Sequence, residues 1–133
     1  MIVASWNINS VRIRLDLFKN WVEKRKPSII LLQEIKCESF EFPTDFFINL
    51  GFKSYVYGQK GRNGVAILVK ESFIEKSDKI TEVNLTKIPE ARVIKIFSEK
   101  INTTIYNIYA PNGNPISDSQ KFSNKIKWYE KLK

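Results

Sequence analysis

The chain has 133 residues, of which 43% are hydrophobic and 27% charged, with a formal net charge of +8 and no histidine. One domain is the expectation at this length, and without histidine there is no Ser-His or Cys-His nucleophilic pair and no histidine-ligated zinc. No window approaches the roughly 18 apolar residues of a membrane span, the N-terminus lacks a signal peptide's basic lead and long apolar stretch, and no Gly-x-x-x-x-Gly-Lys-Ser/Thr loop is present.

Residues 2–7 read as a first strand, followed by a turn at Asn9-Ser10 that opens a helix to about Lys26. Leu15, Phe18, Trp21 and Val22 give that helix one apolar face, Lys24, Arg25 and Lys26 suit its C-terminal dipole, and Pro27 ends it. Residues 28–33 contain the run Ile29-Ile30-Leu31-Leu32, which fits a strand buried on both faces as in a parallel sheet. Strand, helix and strand make a βαβ unit. Thr44 is placed to cap a short helix through Leu50, with Gly51 as its stop. Residues 53–58 and 65–70 flank the turn-rich segment 59–64 and predict a hairpin. Further strands are expected over 79–85, 92–98 and 103–110. After the loop 111–115, a last helix is expected from about Asp118, with Phe122, Ile126, Tyr129 and Leu132 on one face. It reaches the final residue without a stop signal. The lone cysteine, Cys37, precludes an internal disulfide and suits a reducing cytoplasm.

Polar residues collect just past the apolar strands, where ligands sit in open α/β sheets. Glu34 follows residues 30–33, and a carboxylate there suits a hard cation such as Mg²⁺, or else a local surface pair. Asn7 ends the first strand; its amide could ligate the ion or orient the carboxylate, and Asn is also an ordinary turn residue. Asn9 is a second candidate with the same alternative. Alternation sets Tyr109 on the opposite face from Tyr106 and Ile108, so its phenol could donate to a phosphate oxygen or to an attacking water. A half-buried strand tyrosine is the plain alternative. Asn112 is a turn residue whose amide could grip a phosphate. Lys36, Lys60, Arg62 and Arg92 could neutralise phosphate at the same rim or simply be solvated. The basic balance favours polyanions through phosphate contacts and counterion release. Trp21 and Trp128 sit at helical core spacing and are read as packing rather than base-stacking residues.

Together, Trp6-Asn7-Ile8-Asn9-Ser10-Val11-Arg12, Leu32-Gln33-Glu34-Ile35-Lys36-Cys37, the segment 58–66 and Tyr109-Ala110-Pro111-Asn112-Gly113 resemble the exodeoxyribonuclease III/AP endonuclease family of the endonuclease/exonuclease/phosphatase superfamily. The resemblance spans residues 1–133. It implies an α/β fold: the N-terminal half of a four-layer, DNase I-like α/β sandwich, with mixed β-sheet and flanking helices. It implies Mg²⁺-dependent hydrolysis of DNA phosphodiesters in base-excision repair, at abasic sites and from 3′ ends of double-stranded DNA, with Mn²⁺ as an alternative ion. By position, Glu34 resembles the metal ligand with Asn7 beside it, and Tyr109 resembles the active-site tyrosine. Asn112 resembles a phosphate contact, with Asn9, Lys36 and Arg62 facing DNA.

Family members continue well beyond this length. Their second half carries a Gly-Asp-x-Asn strand, another aspartate and a Ser-Asp-His segment. The isolated chain is therefore expected to be a truncated domain, inactive or nearly so, which pairs with a C-terminal half or self-associates because one sheet face lacks cover. Two rivals stand beside this reading: a nucleic-acid binder without chemistry, and one half of a split nuclease.

Overall fold

An apolar run such as residues 29–32 needs cover on both faces. The structure, a computed structural model that describes residues 1–74, 80–84, 88 and 90–133, provides that cover with four layers. β1 (Val3–Asn7) pairs in parallel with β2 (Ile29–Gln33), which is also antiparallel to β4 (Val65–Lys70). β3 (Phe52–Tyr57) joins β4 as the predicted hairpin, so the sheet is mixed, in the order β1-β2-β4-β3. A second, antiparallel sheet holds β5 (Ile80–Asn84), β6 (Val93–Ser98) and β7 (Thr103–Ile108) in sequence order. Lys79 and Leu85, the predicted ends of the fifth strand, lie outside the described residues.

Each layer buries what its alternation presents. Ile30, Leu32 and Leu68 face α1 (Leu15–Arg25) and α2 (Thr44–Asn49), and pack on Phe18, Val22 and Phe47. Ile29, Val65, Ile67 and Val69 face the other way and meet Ile94 and Ile96 of the second sheet. On the far side, α3 (Ser119–Leu132) lays Trp128 on Val93. Trp21 packs with Trp6 and Phe18, so both helix tryptophans serve packing. Among the described residues no helix is long and apolar enough to cross a membrane.

Two helix boundaries differ from the sequence reading, the start of α1 and the cap of α2, while α1 closes where expected. The first helix does not open at Asn9-Ser10, because both residues are left-handed (φ 46° and 78°) and Ser10 N–H donates to Glu34 O at 2.8 Å. A 3₁₀ turn at Val11–Ile13 and then Arg14 intervene before α1 begins. That helix closes at Lys26, left-handed at φ 49° with its N–H on Val22 O, one residue before Pro27. Thr44 does not cap α2: Pro43 holds the cap position, and the Thr44 hydroxyl donates to Phe42 O at 3.4 Å. Gly51 does supply the left-handed exit, at φ 79°.

Cover is incomplete at one flank. Val3 and Ser5 share the inter-sheet face with their neighbours Ile29 and Leu31, yet both are exposed, so the second sheet stops short of β1. Tyr106 and Ile108 are also exposed, on the outer face of β7. The helix-side core is closed: Phe18 is fully buried, with ring centroids 6.0 Å from Trp6 and 5.0 Å from Phe47. Phe18→Ala should therefore destabilise the chain by about 3–5 kcal/mol, read from urea unfolding midpoints.

Candidate active site

Strict alternation along β2 would send Glu34 to the helix side with Ile30 and Leu32. Instead Leu32 and Ile35, three residues apart, both enter the helix-side core. The slip occurs at Glu34 itself, whose φ is 53°. It turns the carboxylate away from the apolar layer and toward the inter-sheet rim. β1 makes a matching slip: Trp6, Ile8 and Val11 line the same core, and Asn9 and Ser10 take the left-handed conformations between them. The backbone ladder runs on through both slips. Ile8 N–H donates to Gln33 O, Val11 N–H to Ile35 O, and on the other side Ile35 N–H donates to Gly64 O and Lys36 N–H to Asn63 O. Gly64 is required there: at φ 82° an added Cβ would lie 2.5 Å from Ile35 Cγ1. Arg14 secures the β1 side from below, its Nε donating to Ile8 O at 2.7 Å.

The rim that results gathers five of the sequence candidates. Asn7 Nδ2 donates to Glu34 Oε1 at 2.9 Å, and the Tyr109 hydroxyl donates to the same oxygen at 2.6 Å. Lys36 Nζ lies 3.3 Å from Glu34 Oε2 and donates to Asn9 Oδ1 at 2.5 Å. Asn7 Oδ1 accepts from Asn9 N–H at 3.2 Å, so in this arrangement the Asn7 amide orients the carboxylate and spends its oxygen locally. Glu34 is held below the usual carboxylate range, first by the Asn7 bond, then by the Tyr109 bond, with Lys36 adding to both against a modest burial penalty. The Tyr109 phenol is pushed up by burial and then by donation to Glu34, so it remains a protonated donor.

Arg92 belongs beneath this cluster rather than at its solvent-facing rim. Its guanidinium stacks 4.8 Å from the Tyr109 ring, its side chain is only 13% exposed, and it pairs with Glu90. Tyr109 N–H returns a bond to Arg92 O at 2.7 Å. Arg62 stays outward, 70% exposed and 3.7 Å from Glu90, and Lys60 is exposed in the same loop. Asn112 is exposed and accepts from Asn114 N–H at 3.0 Å within its own turn; no contact joins it to Glu34. Reading the sequence passed over Asn107 and gave Gln33 no role. Both are buried polar residues at inward strand positions, next to Tyr109 and Glu34. The signal available was an amide on the apolar face of each strand.

The donor set suits a hard, oxygen-loving divalent ion in kind, through one ionised carboxylate. It is sparse in number: among the described residues no group of three or more His, Cys, Asp or Glu side chains could hold a metal.

Comparison with known proteins agrees with this fold. A family model described as the endonuclease/exonuclease/phosphatase family matches residues 4–127. The exodeoxyribonuclease III of Haemophilus influenzae is 33% identical, over 96% of this chain and 48% of its own length. Among solved structures, a 3′ phosphatase of Neisseria bound to a product DNA hairpin superposes with TM-score 0.79 at 32% identity, covering 98% of this chain and 49% of that one. An AP endonuclease of Archaeoglobus fulgidus gives TM-score 0.79 at 34% identity, covering 99% and 49%. The chain spans about half the length of each of these relatives.

Because its folded-state pKa is depressed, the stability that Glu34 contributes is present above the ordinary carboxylate range and is lost as pH falls through the lowered value. Urea unfolding of wild type and Glu34→Gln across pH should show a wild-type advantage that is level near neutrality and disappears only in acid. An advantage that does not change with pH contradicts this.

Proposed function

The chain belongs to the endonuclease/exonuclease/phosphatase family, and from that premise we propose that it carries the phosphate-facing half of a Mg²⁺-dependent DNA phosphodiesterase of base-excision repair. The substrate class is double-stranded DNA with abasic sites or 3′ ends. The observation that carries the reading is the Glu34 carboxylate, ionised at an open rim and ringed by Asn7, Tyr109 and Lys36. Glu34 would hold the ion, Mg²⁺ or Mn²⁺, and Asn7 orients the carboxylate toward it. The ion supplies Lewis-acid polarisation of a phosphoryl oxygen. Tyr109 holds a hydroxyl proton at the rim for a phosphate oxygen or a water. Asn112 offers an amide to the phosphate from the 111–115 loop. Asn9, Lys36 and Arg62 contribute donors and positive charge along the DNA path.

On this reading, turnover by these residues alone is low. A carboxylate with lowered pKa and three donors is a weak base, and the chain has no histidine to serve in its place. Loss of that function removes about 10²–10⁴-fold. In the proposed complete enzyme a C-terminal half supplies the base, and the bare inter-sheet flank of β1 favours seating it there. A binder without chemistry shares the basic rim and would show salt-dependent DNA affinity with no restored turnover.

Mn²⁺ titration followed by electron paramagnetic resonance should show binding by wild type. Asn7→Ala should weaken it by roughly 10–100-fold, and Glu34→Gln by more. In a gel assay the chain alone should leave an abasic duplex nearly intact, and an added C-terminal half should restore nicking. Enzyme-like nicking by the chain alone overturns the inactivity. Wild type that ignores Mn²⁺ overturns the site assignment.

A further inference from the structure

Behind the rim lies an amide pair that the proposed chemistry does not use. Asn107 is 1% exposed and Gln33 is 8% exposed. Asn107 Nδ2 donates to Leu32 O and to Ala66 O, both at 2.8 Å. Those residues face each other across β2 and β4, so one side chain of β7 is bonded to two strands of the opposite sheet. Gln33 Nε2 closes the arrangement, donating to Asn107 Oδ1 at 2.7 Å, to Ser5 Oγ at 3.1 Å and to Leu31 O at 3.1 Å. The neighbours of this pair matter. Asn107 is two residues before Tyr109 on the same strand face, and Gln33 immediately precedes Glu34.

We infer that Asn107 and Gln33 are positioning residues, an inter-sheet clamp that sets β7 against β2 and β4 so that the Tyr109 hydroxyl reaches Glu34. The physical case is one of direction. The inter-sheet contacts around it are aliphatic, through Ile29, Val65, Ile67, Ile94 and Ile96. Aliphatic packing resists separation of the sheets but is non-directional, so it specifies their sliding poorly. A buried amide whose donors must meet two carbonyls allows one lateral setting, because an unmade bond there carries the full desolvation penalty. A lateral slide of an ångström or two would stretch or misalign the 2.6 Å bond between Tyr109 and Glu34 and shift the ring on its Arg92 support.

The inference deepens the proposed reading of the Glu34 cluster as the reactive site, and its test does not need metal binding. The ¹³Cζ resonance of Tyr109, assigned with Tyr109→Phe, reports the bond to Glu34, and Glu34→Ala marks its position when that bond is gone. Asn107→Leu should lower the melting temperature. The double variant Gln33→Leu/Asn107→Leu should recover part of that loss, since it removes the stranded Gln33 amide but still leaves Leu32 O and Ala66 O without the Asn107 donor. In the folded double variant the Tyr109 resonance should move toward the Glu34→Ala position, and Mn²⁺ affinity should fall roughly tenfold. A folded double variant with an unmoved resonance overturns the clamp. Should the double variant not fold, Gln33→Met keeps the Asn107 bonds to both carbonyls and removes the amide link together with the Gln33 bonds to Ser5 and Leu31. A partial shift in it supports the clamp, and no shift overturns it. The wild-type Mn²⁺ titration judges the site reading separately.

Discussion

The direction of one carboxylate governs this molecule. Left to ordinary strand alternation, Glu34 would point into the layer of Phe18, Phe47 and Leu32, where an ionised group is prohibitively unfavourable. A single left-handed residue redirects it, and Asn9, Ser10 and Lys36 share that conformation nearby. Non-glycine residues in this region cost on the order of 1–3 kcal/mol each. What offsets them is visible on both sides. The ladder to residues 8–11 and to residues 63–64 stays intact through the slip, and Ile35 recovers the core position that Glu34 vacates.

Charge at the rim is divided among residues rather than concentrated. Glu34 accepts from an amide, a phenol and an ammonium, which keeps it anionic and makes it a good hard-ion ligand but a poor proton acceptor. Glu90 plays a quieter part, shared by the outward Arg62 and the inward Arg92. One arginine is thereby committed to the underside of Tyr109 while the other faces solvent. The net charge of +8 is consistent with a polyanionic ligand but could not by itself have separated these two roles.

Much of the fold was legible because its signals are local. The run at residues 29–32, the hairpin around 59–64 and the periodicity of residues 122–132 each named their element, and the structure has all three. The assembly of Asn7, Asn9, Glu34, Lys36 and Tyr109 was also anticipated, because strand-end positions converge at one rim. What escaped depends on contacts distant in sequence. The late start of α1 comes from Ser10 bonding to Glu34, 24 residues away by number. The stacking of Arg92 needs Tyr109 beside it on the next strand, and the amide pair needs two sheets in place before either amide has a partner. No periodicity encodes a backbone slip, so the sequence offered the acid but not the reason it faces the rim.

The left-handed backbone at Glu34 also shapes how this chain can change by mutation. Glycine is the residue that relaxes such a conformation most readily, and at position 34 it would ease the backbone while erasing the carboxylate that Asn7, Tyr109 and Lys36 hold at the rim. Thermal robustness and chemistry thus pull one codon in opposite directions. Screens for hardier versions of this protein will tend to discard its acid unless they also select for what that acid does.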